Sequence, residues 1–105
     1  MTDAAVPPHS LETVWLVEAT YAPDGAETRT PVRPLHLARI AGLIASGIVI
    51  EAGAYADVSA SLFLVRAASE AAALDLFRDD VYMRNGVWVE LRARPFGRLR
   101  LDDRG

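Results

Sequence analysis

Residues 48–67 read IVIEAGAYADVSASLFLVRA. Two stretches rich in β-branched, aliphatic and aromatic residues, Ile48–Asp57 and Ala60–Ala67, are separated by only two residues. Such composition favours strands. So short a link makes them an antiparallel hairpin, because a parallel return needs a crossover of a dozen or more residues. Gly53 interrupts the first of these strands, as at a bulge or where another group approaches the backbone.

On each side of the hairpin the apolar period changes from two to nearly four. Upstream, RPLHLARIAGLI (33–44) is an amphipathic helix that opens at Thr30-Pro31 or Arg33-Pro34, runs to about Ser46, and stops at Gly47. Downstream, Ser69 caps a second helix with Glu70 in its first turn, and the stripe Ala73, Leu74, Phe77, Val81 carries it through EAAALDLFRDD. Outside the helices lie two more strands, TVWLVEATY (13–21) and VWVELRAR (87–94), the latter ended by Pro95. The links APDGAETRT and VYMRNG read as turns.

The order β-α-β-β-α-β gives an α+β, ferredoxin-like fold, with both helices on one face of a four-stranded antiparallel sheet. In the first strand Trp15, Val17, Ala19 and Tyr21 alternate with Val14, Leu16, Glu18 and Thr20. Whichever set faces away from the helices, the open face carries large apolar side chains. A second copy packed sheet to sheet is the expected cover.

The 105 residues suffice for one core, read as a leader (1–12), a domain (13–98) and a tail (99–105). A net charge of −3 argues against a general nucleic-acid binder. Arg92, Arg94, Arg98 and Arg100 alternate with apolar residues and precede Asp102 and Asp103, as on a solvated strand face. Without cysteine there is no disulfide, thiolate site or cysteine nucleophile. No apolar run reaches the roughly twenty residues of a membrane span, and the leader lacks the regions of a signal peptide. A cytoplasmic protein is expected, with no membrane and no nucleic-acid partner.

His36 is the unusual residue. On a wheel of about 100° per residue it shares an apolar arc with Ile40, Leu43, Ile44 and Gly47, with Arg33 one turn earlier. Arg39, Gly42, Ala45 and Ser46 are assigned to the other side. Burial and the positive helix end favour the neutral imidazole, whereas a nearby carboxylate favours the cation. A histidine between those pulls suits proton transfer. From the residues alone the commoner reading of such a histidine is a hydrogen-bonded core or edge residue.

The stretch VRPLHLARIAGLIASGIVIEAGAY, followed by a strand, a helix and RDDVYMRNGVW, resembles the YCII-related family from Thr13 to about Phe96. The resemblance is carried by Arg33-x-x-His36, by the spacing of Gly47 and Gly53, and by Asp80-x-Tyr82 before Gly86. Val81 stands where the family usually has proline, which predicts a looser turn at Asp80, with Asp79 as its competitor. The resemblance implies a dimeric α+β barrel with a histidine–aspartate pair in each subunit's pocket, mapped to His36 and Asp80. Some relatives are lyases or dehydrochlorinases of hydroxylated rings, and related barrels include isomerases.

The function that follows is a small cofactor-free lyase or isomerase, with His36 and Asp80 catalytic and no metal. Its substrate is small and oxygenated, cyclic or aromatic. Arg33 holds an anionic oxygen, Tyr82 at the rim and Ser61 touch the ligand, and Trp15, Phe63 and Trp88 form the apolar wall. The alternative is a non-catalytic ligand-binding or accessory dimer. Tyr82 is otherwise a packed aromatic, and Glu18 and Glu90 form either an acid–base pair or ion pairs with arginines such as Arg92.

Overall fold

The computed structural model describes residues 6–102. Its elements are β1 (His9–Tyr21), α1 (Gly25–Thr28), α2 (Arg33–Ala45), β2 (Val49–Ala54), β3 (Ala60–Val65), α3 (Glu70–Arg78), α4 (Val81–Arg84) and β4 (Trp88–Leu101). The sheet order is β2-β3-β1-β4, and every pairing is antiparallel. This is the ferredoxin-like arrangement expected from the element order.

The core lies between the helices and one face of the sheet. Val17, Ala19 and Tyr21 of β1 and Phe63 and Val65 of β3 meet Ile40 of α2 and Ala73 and Phe77 of α3 there. Alternation therefore sends Leu16 and Glu18 to the open face, which they share with Leu62 and Leu64 of β3, Arg92 and Phe96.

Helices α2 and α4 both stop at left-handed glycines. Gly47 (φ 83°) and Gly86 (φ 69°) each follow a helix whose last carbonyls are closed by paired backbone bonds, Gly47 N–H to Ile44 with Ile48 N–H to Leu43, and Gly86 N–H to Met83 with Val87 N–H to Tyr82. The α2 helix starts at Arg33-Pro34 rather than Thr30-Pro31, with proline in the first turn.

Several boundaries differ from the sequence reading. The leader is shorter than residues 1–12: β1 begins at His9 and pairs with β4 as far as Leu101. Glu12 anchors this ribbon by ion pairs to Arg66 (2.6 Å) and Arg98 (3.1 Å). Residues 99–101, read as tail, belong to β4, whereas residues 1–5 and 103–105 lie outside the described residues. Pro95 does not end β4, because β4 is an edge strand with one side free of ladder bonds. The register shift in β2 falls between Val49 and Glu51, not at Gly53. APDGAETRT and VYMRNG each contain a one-turn helix. The second predicted helix breaks at Asp79–Asp80 instead of continuing to Val81.

That break positions the site. Asp80 has extended backbone (φ −66°, ψ 143°), and its side chain accepts a hydrogen bond from the Tyr82 N–H at 2.9 Å, capping α4. The extended conformation is the one a following proline would impose. Here the Asp80 carboxylate caps α4 in that same conformation without proline. Val81→Pro should accordingly be tolerated and raise stability by about 0.4–1 kcal/mol through the unfolded chain, readable in a urea melt. A loss of stability would mean that the turn needs the Val81 N–H or side chain.

Candidate active site

Helix α2 and the turn before α4 bring together residues 44 apart in sequence. His36 Nδ1 and Asp80 Oδ1 are 2.9 Å apart, and both side chains are buried. The same oxygen takes the Tyr82 N–H, and the other, Oδ2, accepts a bond from the Arg39 guanidinium at 3.3 Å. Arg39 also donates to the Leu76 carbonyl, which holds it over Asp80.

Burial opposes ionisation of Asp80, but hydrogen bonds from His36 and the Tyr82 N–H, with the charges of His36 and Arg39, outweigh it. They hold the carboxyl below its usual range. An ionised Asp80 accepts only, so Nδ1 of His36 carries the proton and donates. The nitrogen left for another partner is Nε2.

Aromatic rings fix the imidazole. Tyr82 stacks on it with centroids 3.8 Å apart and planes at 11°, and Trp88 meets it edge-on at 5.2 Å and 89°. His36 opens onto a cavity of about 170 Å³ lined also by Tyr21, Arg29, Arg33, Ile40, Gly53, Ser61, Phe63 and Tyr82. The Ser61 hydroxyl donates to the Tyr21 hydroxyl at 3.1 Å. Burial, with Tyr21 nearby, pushes the Tyr82 phenol up, against the pull of Arg29 and Arg33, so at neutral pH it is protonated.

Of the residues singled out in the sequence, His36, Arg33, Ser61, Tyr82 and Phe63 line this cavity. Asp80 stands behind His36, fully buried. Asp79 is exposed at the end of α3, and Asp80 is the carboxylate that meets His36. Tyr82 is not at the rim: it is 1% exposed and forms part of the floor. Trp15 and Trp88 do not line the cavity. Trp15 donates through Nε1 to the Ala67 carbonyl at 3.2 Å, and Trp88 packs behind the imidazole. Glu18 and Glu90 are no acid–base pair, since Glu18 lies opposite Arg92 across the strands and Glu90 lies 3.6 Å from Arg92.

The sequence reading does not reach Arg39, Tyr21 or Arg29. The sequence reading assigns Arg39 to the far side of the helix, yet three residues on from His36 is about 60° round the wheel, on the same arc. Tyr21 carried a signal, since it ends the inward set of β1. Arg29 lies in a loop without periodicity and carried none. Gly53 leaves part of the cavity wall bare, because a Cβ there would meet nothing within 4 Å.

The family model described as the YCII-related domain matches residues 13–97. The chain belongs to the YCII-related family. No curated protein matches the chain. Among solved structures, 5-chloro-2-hydroxyhydroquinone dehydrochlorinase from Burkholderia phenoliruptrix AC1100, in complex with 2,5-dihydroxybenzoquinone, superimposes with a TM-score of 0.66 at 17% identity. The match covers 77% of this chain and 90% of that one. At this identity the likeness is one of fold. Among the described residues of this YCII-related chain, no three potential metal ligands cluster, and no helix is long and apolar enough to cross a membrane.

Proposed function

We propose that this YCII-related protein is a small lyase or isomerase that moves a proton on a small oxygenated ring. The observation that carries the reading is the buried His36–Asp80 pair at the wall of a one-ring cavity. Asp80 keeps the proton on Nδ1 and stabilises the imidazolium, leaving Nε2 as the base. Nε2 takes a proton from a carbon beside a carbonyl, and the C–H electron pair moves to the oxygen as an enolate. The imidazolium then returns the proton to another carbon, which isomerises the ring, or a leaving group departs with its electron pair, which is a lyase step. Arg33 lines the cavity and can steady an anionic oxygen of the substrate, and the Tyr82 phenol and the Tyr21 hydroxyl, aligned by Ser61, are candidate donors to ring oxygens. The ligand held by the dehydrochlorinase of the same fold, a dihydroxybenzoquinone, belongs to this size class.

The test is to incubate the protein with chlorinated and unchlorinated hydroxyhydroquinones and unsaturated lactones in deuterated water, following ring positions by NMR. Exchange or conversion above the uncatalysed rate is expected. An inert panel whose members nevertheless bind in the cavity would favour a ligand-binding accessory protein.

We also propose that two copies pack through the open sheet face. Leu16, Leu62, Leu64 and Phe96 line an apolar groove there, and Glu18 lies opposite Arg92 beside it. A face holding both signs of charge complements its own two-fold copy. Sedimentation should give a dimer for the wild type and a folded monomer for Leu62→Glu; a wild-type monomer at micromolar concentration overturns the proposal.

A further inference from the structure

Arg29 and Arg33 both line the inner cavity, and both also line a shallower groove of about 420 Å³ outside it, with Ala26, Thr30, Pro34 and Leu37. They therefore stand where the two spaces meet. Among the described residues, no carboxylate lies within ion-pair distance of either guanidinium. Arg39, Arg66, Arg78, Arg92, Arg98 and Arg100 each have an acidic partner; among the described residues Arg84 and Arg94 have none either, but neither lines the cavity. The Arg29 guanidinium lies over the Tyr21 ring, 5.9 Å from its centroid, which aligns the cation with the cavity wall. Both cations face the same two spaces, so an anion bound there would meet them together.

The inner space sets the size of what that anion is attached to. An apolar cavity of about 150 Å³ accommodates a benzene ring. The cavity of about 170 Å³ here, walled by Ile40, Phe63 and Gly53, has room for one ring with small substituents. Beside His36 and the Tyr82 phenol, the cavity holds the Ser61–Tyr21 hydroxyl pair. Ser61 donates to the Tyr21 oxygen, so the Tyr21 proton is free for a second acceptor.

We infer that the substrate is a single-ring carboxylic acid with at least one ring oxygen, bound with its carboxylate between Arg29 and Arg33 at the cavity mouth. A ring oxygen takes the Tyr21 hydroxyl proton. This rests on the reading of the cavity as a substrate site, and makes Arg29 and Arg33 the residues that select an acid over its neutral analogues.

The test compares 2,5-dihydroxybenzoate with 2,5-dihydroxybenzamide by calorimetric titration at low salt, against the wild type, Arg29→Gln, Arg33→Gln and His36→Gln. The acid should bind the wild type at least tenfold more tightly than the amide, with the difference shrinking as salt is added. Each arginine variant should lose at least fivefold in affinity for the acid and stay within twofold for the amide. Circular dichroism checks that each variant is folded. Equal binding of acid and amide, no binding of the acid, or parallel loss of both ligands in the arginine variants overturns the inference. His36→Gln separates it from the catalytic reading. If the preference for the acid survives in His36→Gln while no ring substrate turns over in the wild type, the carboxylate site stands and the lyase or isomerase reading falls. If neutral rings turn over and acids do not bind, the reverse holds.

Discussion

Asp80→Ala should destabilise the protein by about 3–5 kcal/mol, the range for removing one partner of a buried charged network. Three donors converge on this fully buried carboxylate: His36 Nδ1, the Tyr82 N–H and the Arg39 guanidinium. Truncation strips all three at once and uncaps α4. Urea denaturation at neutral pH measures the loss, and a cost below about 1 kcal/mol would show that water replaces the carboxylate easily.

The same network has an acid signature. Burial works against the charge, but the hydrogen bonds and neighbouring cations prevail, so the carboxyl is depressed in the folded state. A depressed carboxyl stabilises the fold fully above its unfolded value of about 4. That stabilisation is lost as pH falls through the lower folded value. Asp80→Asn has no such titration. Its stability deficit relative to wild type should therefore be largest at neutral pH and narrow below about pH 4. A deficit that stays constant on acidification would contradict an ionised Asp80.

His36→Gln should reduce turnover of any ring substrate by about 10²–10⁴-fold, the usual contribution of a positioned general base. The fold should survive, because glutamine keeps a hydrogen-bonding group toward Asp80. Asp80→Asn should be impaired for a different reason. Its amide can donate to Nδ1, which transfers the imidazole proton to Nε2 and removes the base from the side a substrate reaches. Nitrogen-15 NMR of the imidazole distinguishes the two tautomers directly. A His36→Gln protein within threefold of wild-type turnover would assign the proton transfer elsewhere, and the Tyr21–Ser61 hydroxyl pair would be the next group to test.

The order of the four strands and the two longer helices, and with it the sheet, is legible in the residues alone. Gly47 and Ser69 mark ends that local chemistry alone enforces: a left-handed stop needs no side chain, and a capping hydroxyl reaches only the next turn. The alternation in β1 and the apolar arc of α2 placed His36 inward, because burial follows periodicity. The pairing of His36 with Asp80 came from family resemblance, since no spacing rule links residues 44 apart. Tertiary structure decided what depends on the meeting of distant segments. It placed Arg39 over Asp80, made Tyr82 a floor rather than a rim, and withdrew Trp15 and Trp88 from the cavity. It also joined Arg29, from a loop with no pattern, to Arg33 at the mouth. Periodicity says which side of an element is buried. Which side chains from separate elements share a charge or a cavity is fixed only when those elements pack.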